Sequence, residues 1–358
     1  MKAHLALGVL IARGISALPS NVLTERAAAA NGTVTYAGVN IAGFDFGCLT
    51  DGSQDPKKAV PPVNGLGGPD GAAQMSHFVK DDHFNIFRLP VGWQYLTGST
   101  LSSTSTLNAG NLQKYDQLVQ ACLRSASTTV CVLDIHNYAR WNKQIIGQGG
   151  PTNAQFVGLW TQLAAKYKGE TRIAFGLMNE PHEVDINKWA DTLQLVVNAI
   201  RGAGATTQMI YLPGNDYTSA GRFISNGSGA ALMKVTNPDG SFTNLIFDVH
   251  KYLDSDNSGT HTDCVTNNID SAFQPLATWL RTNKRMAILT ETGGGNTASC
   301  TTYMCQQIAF LNANSDVYLG YVGWAAGSFD GTYELTETPT GSGNNMQDTS
   351  LVKACLRR

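Results

Sequence analysis

The sequence predicts an α/β chain folded as a single (β/α)8 TIM barrel, on three observations. Eight short apolar runs recur along it, the segments between them carry helical periodicity where they are long enough to test, and polar residues gather where the runs end. The runs occupy residues 37–41, 85–89, 130–135, 173–178, 209–212, 245–249, 286–290 and 319–323. Between them, Phe156, Leu159, Trp160, Leu163 and Tyr167 share one helical face, and so do Leu112, Tyr115, Leu118, Val119 and Cys122. Strands that alternate with helices pair in parallel through right-handed crossovers, and eight such units close into a barrel. An open doubly wound sheet is the competing architecture. It calls for a G-x-G-x-x-G turn after the first strand, whereas Gly43 and Gly47 flank Phe44 and Phe46 without that spacing.

Length and composition agree with one large unit. At about 150 residues per domain, 358 residues would suggest two domains, but α/β barrels reach this size alone. No charge block or low-complexity linker divides residues 33–358. The net charge of −2 and the 15% charged residues exclude a basic nucleic-acid module and a disordered chain. Beyond residues 5–18 no segment approaches the roughly eighteen apolar residues of a membrane span.

At the N-terminus, Met1 and Lys2 precede an apolar run over residues 5–18, interrupted by Arg13, with Ser16 and Ala17 near its end. This reads as a secretory signal peptide. Residues 1–30 are therefore expected to be signal and short leader, and 31–358 the barrel. Sequons at Asn31 and Asn226, and a surface rich in Ser, Thr, Asn and Gly, fit a secreted protein. The seven cysteines, at 48, 122, 131, 264, 300, 305 and 355, lack C-x-x-C spacing and read as disulfides with one thiol left over.

In such barrels chemistry sits at the C-terminal strand ends. Asn40, Arg88, Asp134, His136, Asn179, Glu180, Asn215, Asp216, Asp248, His250, Tyr252, Glu291 and Trp324 fall there and should form one converging ring. Glu180 and Glu291 each end an apolar strand, where a carboxylate is costly unless solvent, a partner or a substrate compensates for it. A rim salt bridge explains one such Glu. Two of them, three strands apart within a polar ring, fit glycoside hydrolysis, which needs one carboxylic acid and one carboxylate across a cleft. Asn179 would bond a sugar 2-hydroxyl, and Arg88 would hold the second carboxylate ionised.

Other readings compete. Asp134-Ile-His136 and Asp248-Val-His250 place Asp and His on one strand face, as metal ligands would be, but strand one lacks the early His-x-His pair of metal-dependent barrel hydrolases. Histidines bonded to a carboxylate or a substrate hydroxyl are the preferred reading. Gly293–Gly295 stand where barrels often bind phosphate, yet no Lys or Arg lies between Gly293 and Leu351, so a tight turn that lets Glu291 approach a ligand is preferred. Of the aromatics near strand ends, Trp93, Trp141 and Trp324 are the best candidates for sugar platforms, against a default of core packing for Tyr95, Tyr138, Tyr217, Tyr252 and Phe329.

The motifs Phe-Arg-Leu-Pro-Val-Gly-Trp (87–93), Asp-Ile-His-Asn-Tyr-Ala-Arg-Trp (134–141), Met-Asn-Glu-Pro-His (178–182), Asp-Val-His-Lys-Tyr-Leu-Asp (248–254) and Leu-Thr-Glu-Thr-Gly-Gly-Gly (289–295) resemble the glycoside hydrolase family 5 endoglucanases of filamentous fungi. The resemblance covers residues 33–356. It implies a secreted, retaining endo-β-1,4-glucanase acting on a β-glucan polysaccharide as a monomer, without metal or cofactor and with no nucleic-acid or membrane partner. Glu180 matches the family's acid/base and Glu291 its nucleophile. Arg88, His136, Asn179, His250, Tyr252 and Trp324 match the supporting positions of its central sugar subsite. It also implies the pairs Cys122–Cys131, Cys264–Cys300 and Cys305–Cys355.

Cys48 departs from the pattern, since relatives pair it a few residues on, where this chain has Asp51, Gly52, Ser53 and Gln54. It is expected to be the free thiol in a loop looser than the family norm. Relatives often carry a cellulose-binding module and linker. The roughly thirty residues before the barrel are too few for one, so soluble or amorphous glucan is the expected preference. A β-mannanase, a mixed-linkage glucanase and a non-catalytic carbohydrate-binding barrel are the alternatives.

Overall fold

In the computed structural model, which describes residues 32–358, eight parallel strands close into a barrel. They are β1 (Tyr36–Ala42), β2 (Ile86–Val91), β3 (Val130–Ile135), β4 (Ile173–Gly176), β5 (Met209–Pro213), β6 (Leu245–His250), β7 (Ala287–Thr292) and β8 (Tyr318–Gly327). Each pairs with the next, and β8 returns to β1 in the register Tyr36↔Gly320 to Ala42↔Gly327. The expected signal peptide, leader and Asn31 sequon lie outside the described residues. Among the described residues no helix is long and apolar enough to cross a membrane.

Alternation along the strands divides the core in two. Tyr36, Ile86, Val132, Ala174, Tyr211, Ile246, Ile288 and Val322 fill the barrel interior. Their neighbours on the other face, such as Phe87, Leu133, Phe175, Phe247 and Leu289, meet the surrounding helices. Those helices bury the faces their spacing predicts. Phe156, Leu159, Trp160, Leu163 and Tyr167 are buried on Asn153–Tyr167, which starts with a Thr152/Gln155 capping box. On Ala109–Ser125, capped by Asn108, Tyr115, Leu118, Val119 and Cys122 are buried, while Leu112 is only partly so.

The strand ends differ from the sequence reading where small residues or irregular pairing decide them. β8 runs on to Gly327, because Ala326 and Gly327 continue the ladder to Ile41 and Ala42, so Trp324 lies inside this strand. β4 stops at Gly176, after which the amides of Leu177 and Asn179 reach the carbonyls of Tyr211 and Ile135 singly.

The three implied disulfides are present, Cys122–Cys131, Cys264–Cys300 and Cys305–Cys355. Cys48 is the free, half-buried cysteine, and burial together with Asp45 and Asp134 pushes its thiol up. Its loop is not loose: a Cys48↔Gln54 bridge and the bonds Leu49 N→Ser53 O and Gly52 N→Leu49 O close it without a second sulfur. The Cys305–Cys355 bridge spans 50 residues and pins the C-terminal turn to the helix Ala298–Ala313. The double variant Cys305→Ser/Cys355→Ser should lose about 2–4 kcal/mol, read as a lower urea midpoint at unchanged slope.

Candidate active site

Arg88 organises the C-terminal mouth of the barrel. It alternates with Ile86 on β2 and so points into the lumen, fully buried. Its Nη1 donates to Asn40 Oδ1 (2.9 Å) and Glu291 Oε1 (2.5 Å). Its Nη2 donates to Asn179 Oδ1 (2.8 Å) and lies 3.0 Å from Asp134 Oδ1. Burial disfavours this charge, but Asp134, Glu291 and Asp248 more than compensate, and its pKa is raised.

Glu291 reaches the same lumen by an irregularity. On β7, Ile288 and Thr290 alternate inward, and a regular strand would send Glu291 out toward the helices with Leu289. The β6–β7 register pairs Val249 with Leu289 but His250 with Glu291, leaving Thr290 as the extra residue of a bulge. The bulge turns both Thr290 and Glu291 toward the site. There Glu291 Oε2 accepts from the Tyr252 hydroxyl (2.8 Å) and lies 3.5 Å from His250 Nδ1. Burial would raise the pKa of Glu291, but His250, Arg88, His136 and the Tyr252 hydroxyl hold it down at about 2. Tyr252→Phe removes one bond to this carboxylate. It should cut kcat/KM about ten-fold or more and move the acid limb of the pH profile upward, both read from pH-rate curves on a soluble glucan.

Glu180 follows β4 with φ +43, a left-handed backbone that few non-glycine residues adopt. Its side chain keeps 16% exposure against 5% for Glu291, so it is the carboxyl nearer solvent. Its Oε1 lies 2.8 Å from His250 Nδ1. His250 Nε2 lies 2.9 Å from Thr290 Oγ1, and the Thr290 hydroxyl donates to Asp248 Oδ1. With that hydroxyl committed to Asp248, Nε2–H must donate to Thr290, so one proton is shared between His250 Nδ1 and Glu180. Burial opposes charge on His250, yet Glu291 and Glu180 raise its pKa. Burial pushes Asp248 up to about 6 despite His250 and Arg88.

On the opposite wall, His136 Nδ1 lies 2.9 Å from Asp134 Oδ2, and its ring stacks on Trp324 at 5.4 Å and 16°. Trp324 Nε1 donates to the Tyr333 hydroxyl (3.0 Å), and Phe329 and Tyr333 extend the apolar face. The eight residues matched to the family's site are brought together here, with Asn40, Asp134 and Asp248 of the expected ring, whereas Asn215 bonds Val184, and Asp216 meets Asn226 and Arg222. Asn179 keeps its Nδ2 donor without a protein partner, a group available for a hydroxyl. Both Asp-x-His pairs meet protein groups, as preferred above. One donor atom each from Glu180, His250 and Glu291 lie within 4.8 Å of one another, the set nearest to a metal cradle in this cleft.

Three expectations need correction. Trp93 is fully buried, edge-on to Trp141 and packed on Phe156, so it belongs to the core. Tyr217, assigned to the core by default, is 44% exposed and stacks on His182 at 4.5 Å, next to the Glu180 loop. Gly293–Gly295 form no tight turn. A Cβ at 294 would come within 2.3 Å of Cys264 Sγ, and one at 295 within 2.5 Å of the Thr262 carbonyl, so close packing beside the disulfide demands these glycines. Sequence reasoning also passed over Thr290 and Tyr333. Thr290 sits between Leu289 and Glu291, where a polar residue at an inward strand position is the one available signal.

Residues 45–328 match the model of the cellulase family, glycosyl hydrolase family 5. The chain is 67% identical over 329 residues to Endoglucanase EG-II of Hypocrea jecorina, covering 91% of this chain and 78% of that one. The crystal structure of Cel5A (EG2) from Hypocrea jecorina superposes with a TM-score of 0.89 at 66% identity, over 91% of this chain and 99% of that one. The structure of XacCel5A in complex with cellopentaose superposes at 0.77 with 29% identity, over 89% and 97%. With paired carboxylates at the mouth of a parallel eight-stranded barrel and relatives this near over most of its length, the chain belongs to glycosyl hydrolase family 5 and is a glycoside hydrolase of its cellulase type.

Proposed function

We propose that the protein is a secreted endo-β-1,4-glucanase that cleaves internal bonds of cellulose and related β-glucans by double displacement with retention. The observation that carries this reading is the proximity of the two acids, 2.8 and 3.5 Å from one imidazole nitrogen, with one carboxylate oxygen of each within 4.8 Å of the other. Retaining enzymes hold their carboxyl groups about 5–5.5 Å apart, whereas inverting ones leave room for a water between them.

Glu291 stays ionised under its cationic neighbours and attacks the anomeric carbon as the glycosidic bond breaks. Glu180, sharing a proton with His250, protonates the departing sugar oxygen. The glycosyl ester on Glu291 is then hydrolysed by water that Glu180 deprotonates, which restores both groups. Asn179 Nδ2 offers a hydrogen bond to the sugar 2-hydroxyl, and the stacked His136–Trp324 pair supplies a face for the sugar ring bound beside Glu291. The endoglucanase name of the 67% identical relative supports β-1,4-glucan as substrate, and the three disulfides support an oxidising, extracellular setting.

Carboxymethyl cellulose and mannan assayed in parallel test the substrate. Viscosity of the cellulose derivative should fall quickly while few reducing ends appear. Proton NMR of early products should show the β anomer first. An initial α anomer, or faster release from mannan, would overturn the reading.

A further inference from the structure

We propose that His77, Asp82 and Asp348 bind a divalent cation of the Mn2+ or Zn2+ kind outside the barrel, where the first long helix meets the C-terminal segment. His77 lies on the helix Gly71–Asp81, Asp82 caps its C-terminal end, and Asp348 precedes the turn Val352–Leu356. One ligating atom from each of the three lies within 4.8 Å of the other two. The site is desolvated: Asp82 is 1% exposed, and the side chains of His77 and Asp348 are 8% and 10% exposed.

Charge there is unbalanced. Asp81, Asp82 and Asp348 surround one imidazole. Asp82 Oδ2 is buried without a hydrogen-bond partner, a costly state for a carboxylate oxygen. Of the nearby cations, Lys80 pairs with Asp81 while 72% exposed, and Arg357 acts on Asp82 through space. Arg358 spends its guanidinium on the carbonyls of Val34 and Thr35.

Histidine geometry points the same way. Nδ1 lies 2.8 Å from Asp81 Oδ2, and Nε2 lies 2.7 Å from Asp348 Oδ1. A neutral imidazole has one N–H. With Nδ1–H given to Asp81, the Nε2–Oδ1 contact needs a positive centre between its two atoms, either a proton or a metal ion in its place. Asp81 then orients the ring as outer carboxylates orient metal-bound histidines. One imidazole nitrogen and two carboxylate oxygens suit a small divalent ion at about 2.1 Å, which needs Nε2 and Oδ1 to part to about 3 Å. The ion would tie the helix Gly71–Asp81 to the C-terminal segment, beside the bond from Arg358 N to Asp82 O (3.0 Å) and those from Arg358 to the carbonyls of Val34 and Thr35 ahead of β1.

Mn2+ titration of the chelator-treated full chain, followed by electron paramagnetic resonance, tests the proposal. Wild-type protein should show a saturable site that Asp82→Asn and Asp348→Asn each remove and that Asp256→Asn and Glu291→Gln each retain. Mn2+ should raise the wild-type Tm by about 2 °C or more and leave that of Asp82→Asn unmoved. Wild-type hydrolytic activity in the two site variants shows that they fold, and His77→Gln replaces either one that does not. No binding by the wild type, or binding and a Tm response that persist in Asp82→Asn and Asp348→Asn, would overturn the proposal.

Discussion

Glu291→Gln should lower turnover on the order of 10^4-fold or more while leaving affinity for cello-oligosaccharides within a few-fold of wild type. The amide keeps the size of the side chain, an oxygen to accept from Arg88 and an NH2 that can donate to the Tyr252 hydroxyl, so the binding surface persists. What disappears is the electron pair that forms the glycosyl ester. Rates on an aryl cellobioside and calorimetric binding of cellotetraose separate the two effects. In Glu291→Ala, added azide should take the vacated position and yield an inverted glycosyl azide. A Glu291→Gln enzyme that keeps more than a few per cent of its rate would remove the basis for double displacement.

Arg88→Met is the second large effect. One guanidinium bonds Asn40, Asn179 and Glu291 and pairs with Asp134, all deep in the barrel mouth. Removing it strands buried carboxylates, a loss of about 3–5 kcal/mol. It also changes the sign of a pH dependence. In the wild type Glu291 titrates at about 2 in the fold against an ordinary value of 4.5. Its ionisation therefore stabilises the fold fully above pH 4.5, and this contribution is lost as pH falls toward 2. Without Arg88, burial counts for more and the carboxyl rises, so the acid limb of kcat/KM should move up by about one to three pH units. Urea unfolding at pH 3, 5 and 7 should show the deficit growing with pH. An equal deficit at all three would mean that Arg88 fills space without governing the charge of Glu291.

The parts of the fold and site written in regular periods were legible in the sequence. Short apolar runs located the eight strands, period-3.6 faces located the helices around Trp160 and Tyr115, and position near the strand ends brought Arg88, Asp134 and Asp248 into the expected polar ring. What depends on a break in period was not. Strict alternation carries Glu291 to the wrong face, and its place at the end of an apolar strand singled it out without showing how it turns inward. Trp93 and Tyr217 show a second limit. Both follow strand ends in polar, glycine-containing stretches, yet the first is covered by Trp141 and Phe156 and the second is left open on His182, and these neighbours are distant in sequence. The glycines at 294 and 295 answer to a sulfur pair and a carbonyl some thirty residues away, which no local turn signal encodes.

The lone sulfur at position 48 bears on how the protein tolerates handling. Held as a thiol by its surroundings, it contributes almost no thiolate near neutral pH, the form that attacks a neighbouring bridge. While the fold holds, the native cross-links are then protected from reshuffling by the chain's own unpaired cysteine, and exchange should begin only once the stretch around it opens to solvent.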